Sequence, residues 1–197
     1  VRQSKEVINA GIFHNDIIAA NHHDLLIFHE SAYENTDELV AKLEARGVCC
    51  IPVLANELSI NEALETYFFN SEFITSAQGE LILILSEVCR NHSAVQKQLD
   101  KIRAIYPKPV RTEYVDLSDS IRNGGGPACL RLRMLLNQQQ LDAIDSKYLL
   151  TKTKLDELSE LVERHYRQTL RYADILKTDY LTGLSPTYAA ICLLYTS

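Results

Sequence analysis

A chain of 197 residues with 46% hydrophobic content is long enough to bury one sizeable core, which argues against disorder and predicts one globular domain. The formal net charge of −6, with scattered lysines and arginines, excludes the concentrated basic face of a nucleic-acid-binding protein and favours a small-molecule partner. No apolar run approaches the roughly 20 residues of a membrane helix, and five cysteines without a CxxC spacing predict neither disulfides nor a zinc site, so a reducing cytoplasm is expected.

The first part of the chain predicts two strands, a helix and a third strand. Short runs rich in Ile, Leu and Phe predict strands at residues 12–20 and 25–29, with a polar turn at residues 21–24. Asn35 or Thr36 can cap the following helix, and Gly47 can end it. The run at residues 49–54 then predicts a buried strand.

The same order returns further along the chain. A hairpin is predicted at residues 73–76 and 81–85, an amphipathic helix at 91–106 and a strand at 110–117. A third unit is expected to open with a strand at residues 129–136. This ββαβ pattern recurs at an interval of about 55 to 60 residues, which is typical of repeat architectures. A long helix at residues 151–170 is expected to pack against the sheets, and the apolar stretch 189–197 matches nothing earlier.

The glycine run before Cys129 is the first candidate for a functional site. Three adjacent glycines, at residues 124–126, indicate either positive φ angles or a close backbone approach, and no Lys-Ser or Lys-Thr pair follows as in a phosphate-binding loop. The loop could present free backbone N–H groups that favour a Cys129 thiolate for nucleophilic attack. A tight turn before a buried structural cysteine is the alternative.

A nucleophilic cysteine needs a proton shuttle, and histidine suits that role near neutral pH. His14 opens the first unit much as the glycine run opens the third, so a propeller-like repeat would bring them to one rim. Asp16, two residues on, would share a strand face with His14 and could bind a cation. A structural role for His14 remains open.

Other candidates favour ordinary roles. His22, His23, Asp24 and His29 have no recognised ligand spacing, so no metal site is predicted. Cys49, Cys50 and Cys89 have no glycine loop beside them, and the first two lie in an apolar run that indicates core packing. Arg131 and Arg133 are expected to be solvated or ion-paired.

Two motifs resemble the N-succinylarginine dihydrolase family, namely Gly11-Ile12-Phe13-His14-Asn15-Asp16 and Asn123-Gly124-Gly125-Gly126-Pro127-Ala128-Cys129-Leu130-Arg131-Leu132-Arg133. Shorter runs also fall at matching places, at residues 67–71, 87–90 and 115–117. The resemblance extends from about residue 6 to at least Tyr172. It implies an α/β fold of the pentein type, in which five ββαβ units surround a pseudo-fivefold axis.

The resemblance implies a role for each matched residue. Cys129 would be the nucleophile, His14 the general acid and base, Asp16 a ligand of the guanidinium group and Asn123 a substrate contact. The implied reaction converts N2-succinylarginine to N2-succinylornithine, carbon dioxide and two ammonia molecules, with no metal and no cofactor. The family also implies a cytoplasmic homodimer.

Five such units need about twice this length, so the resemblance implies that this chain is the C-terminal part of a longer protein. Residues 1–188 would belong to one partial pentein catalytic domain with a C-terminal helix, and residues 189–197 would be a tail outside the family pattern. The family's catalytic Glu and a substrate-binding Arg would precede Val1. The chain alone is therefore expected to be inactive or nearly so.

Two other functions stay open at this point. A thiol-dependent acyl transferase could use the same pair of Cys129 and His14, and would not need Asp16. A non-catalytic chain could bind a partner through its open sheet edges. Separation of His14 from Cys129 in the structure would count against both enzyme hypotheses.

Overall fold

Six strands and five α-helices make up the first of two units in this protein. The computed structural model describes residues 1–130, 134 and 136–196, which divide into two compact units after residue 132. The strands are β1 (Ala19–His22), β2 (Leu25–His29), β3 (Cys49–Val53), β4 (Glu72–Thr75), β5 (Leu81–Ser86) and β6 (Val110–Val115). The helices of this unit are α1 (Lys5–Asn9), α2 (Thr36–Glu44), α3 (Ile60–Thr66), α4 (Ser93–Ile105) and α5 (Ser118–Arg122). Three 3₁₀ helices lie at Asn15–Ile17, Glu87–Cys89 and Pro127–Leu130.

The strands form two three-stranded sheets of the same topology. In each sheet a short hairpin is followed by a helical crossover, so that β1 and β4 are antiparallel to β2 and β5, and β3 and β6 are parallel to them. The central strands begin at Leu25 and Leu81, an interval of 56 residues. The α/β class and the ββαβ repeat are thus confirmed, while closure into a propeller stays a prediction.

The first sheet is buried on both faces. Alternate side chains of β2 point to opposite faces, so Leu25 and Ile27 enter one core while Leu26 and Phe28 enter another. The first core continues into the second sheet and α4. Its members there include Phe73, Leu81, Leu83, Leu85, Val95, Leu99 and Ile102. Each such side chain stabilises the fold by roughly 1.5–3 kcal/mol on burial, and together they fix the two repeats side by side.

The segment before β1 differs from its prediction. Residues 12–20 were expected to form one strand, but Asn15–Ile17 is a 3₁₀ helix and β1 begins only at Ala19. The main-chain N–H of Ile17 donates to the carbonyl of His14, and the Tyr33 hydroxyl donates to Asn15 Oδ1. These bonds satisfy polar groups locally, so the predicted alternation does not continue through this segment.

Helix α3 was not predicted, and it carries the chain to the candidate site. Ser59 and Glu62 form a reciprocal capping box, in which each side chain accepts a hydrogen bond from the main-chain N–H of the other. Tyr67 ends the helix in the left-handed conformation, with φ of 53°. The residues after it, Phe68 and Phe69, are buried and anchor Asn70.

The described residues of the second unit form helices and their connections, with no strand among them. It contains α6 (Gln138–Asp142), α7 (Lys152–His165), α8 (Tyr172–Ile175), α9 (Thr178–Thr196) and a 3₁₀ helix at Ser146–Tyr148. The predicted helix at 151–170 is shorter in the structure, and none of its side chains is fully buried. Its packing against the sheets stays a prediction. No helix in the described part of the chain combines the length and apolar character that crossing a membrane requires.

Candidate active site

Asp16 and Cys129 meet although 113 residues separate them in the chain. The Sγ atom of Cys129 lies 3.9 Å from Oδ2 of Asp16. Both side chains are exposed, so a small molecule can reach the thiol and the carboxylate together. The prediction that Cys129 begins a strand is wrong, because it lies in the 3₁₀ helix Pro127–Leu130. Arg131 and Arg133, also assigned to that strand, lie outside the described residues.

Asn70 links these two residues and was not among the predicted site residues. Its Nδ2 donates to Asp16 Oδ2 at 2.9 Å, and its Oδ1 lies 3.4 Å from the Cys129 Sγ, close enough to accept from the thiol. Its main-chain carbonyl accepts from the N–H of Ala128 at 2.9 Å. Asn70 is fully buried, whereas the two groups that it joins face solvent.

The three residues follow the repeat of the fold. Asp16 and Asn70 are 54 residues apart, and Asn70 and Cys129 are 59 apart. Asp16 precedes β1, the first strand of its repeat, and Asn70 precedes β4, the first strand of the next. The predicted interval of 55 to 60 residues, counted from Asp16, begins at residue 71, one position past Asn70, so the repeat gave an approximate signal for this residue.

The glycine run has both of the uses that the sequence predicted. Gly124 has a φ of +84°, which side-chain-bearing residues rarely adopt. Gly126 provides the close approach, because a Cβ at this position would lie 2.4 Å from Asn70 Oδ1 and 2.7 Å from Tyr67 Cδ1. The loop can therefore reach Asn70 only because residue 126 has no side chain.

Three backbone N–H groups near Cys129 are engaged within or beside the loop and so are not presented to the sulfur as the sequence predicted. The N–H of Gly125 donates to the Ser120 carbonyl, that of Ala128 to the Asn70 carbonyl, and that of Cys129 to the Gly126 carbonyl. These bonds build the loop. The polar groups that contact Sγ are instead the side chains of Asn70, at 3.4 Å, and Asp16, at 3.9 Å.

His14 stands at the start of the 3₁₀ helix that carries Asp16. Its side chain is exposed, and its imidazole makes no hydrogen bond to any described residue. The shared strand face predicted for His14 and Asp16 is wrong, because these residues are not in a strand. Two residues of chain still limit their Cα separation to about 7 Å.

Asn123 is exposed and bonds to its own helix. Its Nδ2 donates to the carbonyl of Asp119 at 2.8 Å, and its main-chain N–H donates to that of Ser120. The side chain thus closes the end of α5 before the glycine run. Among the described contacts it does not join Asp16, Asn70 and Cys129.

The other cysteines of the first unit are in less reactive surroundings. Cys89 is buried and its thiol donates to the carbonyl of Thr66, and burial raises its pKa to about 12. Cys49 and Cys50 are half-buried, and burial raises the pKa of both thiols. Their predicted role in packing agrees with these positions.

The residues considered for a metal site include His22, His29 and Asp24, which are bonded to groups other than a metal. His22 Nε2 lies 2.7 Å from Thr75 Oγ1, which connects β1 to β4. His29 is buried, and its Nδ1 accepts from the N–H of Ser31, while desolvation lowers its pKa. Asp24 instead accepts from Tyr106 and Lys108. No group of three or more His, Cys, Asp and Glu side chains suited to a metal ion occurs among the described residues.

A comparison with known protein families matches almost the whole chain. The sequence model for succinylarginine dihydrolase matches residues 1–193, a range that contains Asp16, Asn70 and Cys129. The chain belongs to the succinylarginine dihydrolase family. Members of this family are hydrolases that act on a small molecule, so the family predicted from the two sequence motifs is confirmed.

Proposed function

We propose that this chain forms part of the site that hydrolyses the guanidino group of N2-succinylarginine, with Cys129 as the nucleophile and Asp16 as the guanidinium ligand. The observation that carries the proposal is the 3.9 Å between an exposed thiol sulfur and an exposed carboxylate oxygen in a member of this family. A guanidinium group is planar and cationic, and a carboxylate oxygen is its natural partner. The same contact puts a nucleophile beside the bound group.

The residues suit the chemistry of this reaction. The guanidinium carbon is deactivated by resonance, so a thiolate is a better nucleophile for it than water. Attack by the Cys129 sulfur forms a C–S bond, and collapse of the adduct breaks a C–N bond and releases ammonia. Water then attacks the amidino-thioether carbon, forms a C=O group and returns the thiol. The product of this first cycle carries a ureido group.

A second cycle completes the balance. Attack of the thiolate on the ureido carbon releases the second ammonia and leaves a thiocarbamate, which water hydrolyses to a carbamic acid. That acid loses carbon dioxide to give the amine of N2-succinylornithine. Two waters are consumed overall, and no electrons are exchanged, so the scheme uses no redox cofactor.

His14 and Asn123 complete the proposed roles. His14 takes the proton from Cys129 and returns it to the departing ammonia, and later removes a proton from the attacking water. The imidazole of His14 is exposed and makes no hydrogen bond to the described residues. In this proposal its proton-transfer partners come together with it when the substrate binds. Asn123 contacts the substrate through the exposed carboxamide at the start of the glycine run.

The wider architecture is also a proposal. The two ββαβ repeats, and the placement of one site residue before the first strand of each, support a pentein propeller in which residues 1–188 form part of one catalytic domain. We propose a cytoplasmic homodimer that needs no cofactor. The resemblance assigns a catalytic Glu and a substrate-binding Arg to which no residue of this chain was matched, so the 197-residue chain alone is proposed to release little ammonia.

The test measures ammonia release from N2-succinylarginine by this chain alone and by this chain joined to the N-terminal half of a family member. The joined protein is expected to be active. Cys129→Ser should lower its kcat by about a thousandfold or more, because a serine hydroxyl is a far weaker nucleophile. Cys192→Ser, a change at another exposed cysteine, is the matched control and should leave the rate unchanged.

The Asp16→Ala variant separates this function from an acyl transferase that uses the same cysteine. Loss of the charge-assisted hydrogen bond should lower kcat/KM for N2-succinylarginine by about 10- to 100-fold. An unchanged kcat/KM in this variant would remove Asp16 from the proposal. Undiminished ammonia release from the Cys129→Ser protein would remove Cys129 as the nucleophile.

A further inference from the structure

We propose that Asn70 is a positioning residue of this site, which holds the Asp16 carboxylate beside the Cys129 sulfur. The inference deepens the proposed function and rests on it. Asn70 is buried, so it does not contact the substrate and acts on it only through Asp16 and Cys129. Its role is to fix their relative position.

The main-chain N–H of Asn70 donates to the Tyr67 carbonyl, and the other described polar atoms of Asn70 contact the two segments of the site. Nδ2 donates to Oδ2 of Asp16 at 2.9 Å and lies 3.4 Å from its main-chain carbonyl. Oδ1 faces the thiol at 3.4 Å, and the main-chain carbonyl accepts from Ala128. A carboxamide at 0% exposure is costly to bury unless it is bonded in this way. These bonds therefore hold the segments of Asp16 and Cys129 against one residue.

The carboxamide fits in only one orientation. If it were reversed, its oxygen would face the Asp16 carboxylate, and two acceptors would meet without a hydrogen between them. The observed orientation instead gives a donor to the carboxylate and an acceptor to the thiol. Asn70 thus offers a donor to one group and an acceptor to the other, whereas a lysine has no side-chain acceptor and an ionised aspartate has no side-chain donor.

Gly126 shows that the loop is built around this carboxamide. A Cβ at Gly126 would come within 2.4 Å of Asn70 Oδ1, closer than any real contact of that kind. The glycine run therefore leaves room for the Asn70 carboxamide and also forms the turn before Cys129. A shift of about 1 Å in the carboxylate is enough to spoil a near-attack geometry, so this support bears directly on the reaction.

The test uses the 197-residue chain itself and does not depend on hydrolysis. Cys129 is alkylated with a cationic reagent, 2-chloroacetamidine, and with the neutral reagent iodoacetamide, and each rate is read from the Cys129 peptide by mass spectrometry. The ratio of the two rates reports how well the carboxylate attracts a planar cation to the sulfur. Dividing by the neutral rate removes changes in thiol reactivity that affect both reagents alike.

Asp16→Ala should lower this ratio about fivefold, as expected for a partly exposed charge pair. Asn70→Ala should lower it by a similar factor, because the carboxylate is no longer held near Sγ. In the Asp16→Ala background, Asn70→Ala should cause little further change, since the two residues act through one contact. Ser71→Ala, which removes the neighbouring buried hydrogen bond to the Phe68 carbonyl, is the matched control and should leave the ratio unchanged.

The proposal is overturned if Asn70→Ala retains the wild-type ratio, or if its effect is undiminished in the Asp16→Ala background. Circular dichroism and thermal melting check that each variant folds. If Asn70→Ala does not fold, Asn70→Ser, whose hydroxyl is too short to bridge the two groups, is measured instead and should show the same fall. A lowered ratio together with no hydrolysis of N2-succinylarginine by the joined protein would support the positioning role and count against the proposed function alone.

Discussion

The cysteines of the first unit differ in exposure and in neighbours, and those differences decide which of them can react. Cys129 is exposed beside Asp16 and Asn70, whereas Cys89 lies inside the core that joins the two sheets. Only the thiolate is nucleophilic, so desolvation protects a buried thiol as well as hiding it. The chemistry of the unit is therefore concentrated at one cysteine.

Alkylation of the native chain at pH 8 tests this difference. Iodoacetamide should modify Cys129 readily and leave Cys89 essentially unmodified, because the pKa of Cys89 is raised to about 12 by burial. In 8 M urea both residues should react at similar rates. The measurement is peptide mass spectrometry at several times of reaction. Modification of Cys89 in the native chain as fast as that of Cys129 would contradict the burial argument.

Two glycines of the loop offer a matched pair of substitutions. Gly126→Ala should destabilise the chain by about 1–3 kcal/mol, because its methyl group would overlap Asn70 and Tyr67. In Gly124→Ala the added methyl group would touch no other atom. This variant should lower the free energy of unfolding by about 1 kcal/mol, because of the φ of +84° alone. Urea unfolding measures both.

The two changes should also differ at the site. Gly126→Ala should lower the alkylation ratio at Cys129, since the methyl group displaces the Asn70 carboxamide, whereas Gly124→Ala should lower it less. Equal effects of the two substitutions on the ratio would mean that the close approach at Gly126 has no part in positioning Asn70.

The sequence singled out candidate residues of the site but not the contacts between them. Cys129 and Asp16 were found from motifs, and the glycine run indicated a close approach. The run at residues 67–71 was matched to the family, but the resemblance implied no role for Asn70, so the residue that Gly126 approaches was not predicted. Its partners are 54 and 59 residues away, and only the repeat interval connects them.

At the scale of elements, Asp24 connects the two repeats. It lies in the turn between β1 and β2, and it accepts hydrogen bonds from the Tyr106 hydroxyl and the Lys108 ammonium group, both at 2.7 Å. Lys108 and then Tyr106 lower the pKa of Asp24 to about 2. This turn of the first repeat is thus joined to the segment between α4 and β6 of the second.

The lowered pKa predicts how stability depends on pH. A carboxyl group whose pKa is depressed by folding contributes stability above its unfolded pKa of about 3.9, and the contribution is lost as the pH falls toward 2. Asp24→Asn should therefore reduce the free energy of unfolding at pH 6 and have a much smaller effect at pH 2, where Asp24 is already about half protonated. The side chain of Asp24 is 39% exposed, so solvent screening limits the loss to about 1 kcal/mol.

Urea unfolding of both proteins at the two pH values measures this contribution. Asp100→Asn is the control, because Asp100 pairs with Arg103 on the exposed side of α4 and its side chain is 76% exposed. That variant should be near neutral at both pH values. A loss in Asp24→Asn that is the same at pH 6 and pH 2 would show that the ion pair does not stabilise the fold.

Helices and strands with a regular pattern of hydrophobic residues were predicted well. Elements whose conformation depends on hydrogen bonds of individual polar side chains were not. Residues 25–29 and the amphipathic face of α4 were predicted because their side chains are buried at regular spacing. The 3₁₀ helix Asn15–Ile17 depends on Tyr33, whose contact with Asn15 the sequence does not show. Helix α3 did have a signal, the pair Ser59 and Glu62, which is the capping-box spacing.

At the scale of the whole molecule, the two units differ in how they are stabilised. The first unit has a core that spans both sheets, while the second has no buried side chain among those described. Helices of about 13 residues are marginal in water without packing. The protection of each helix against hydrogen exchange should therefore follow its burial rather than its sequence.

Helices α4 and α7 are a matched pair for testing this, with 13 and 14 residues respectively. Val95, Leu99 and Ile102 of α4 are fully buried, whereas Leu155 and Val162 of α7 are 50% and 43% exposed. Local opening of a helix without buried contacts costs little free energy, so its amides exchange through small fluctuations. The amides of α7 should exchange at least about 100-fold faster than those of α4, a difference of about 2.7 kcal/mol in opening free energy.

Hydrogen exchange followed by mass spectrometry measures both helices in one sample, and peptides from β2 and β5 provide the most protected reference. A mild urea concentration should raise exchange in the core strands while leaving α7 almost unchanged, because its opening already exposes little new surface. Equal protection of α4 and α7 would contradict this account. It would mean that the apolar side chains of α7 are covered in solution, and exchange measured at several protein concentrations would then show whether a second copy of the chain covers them.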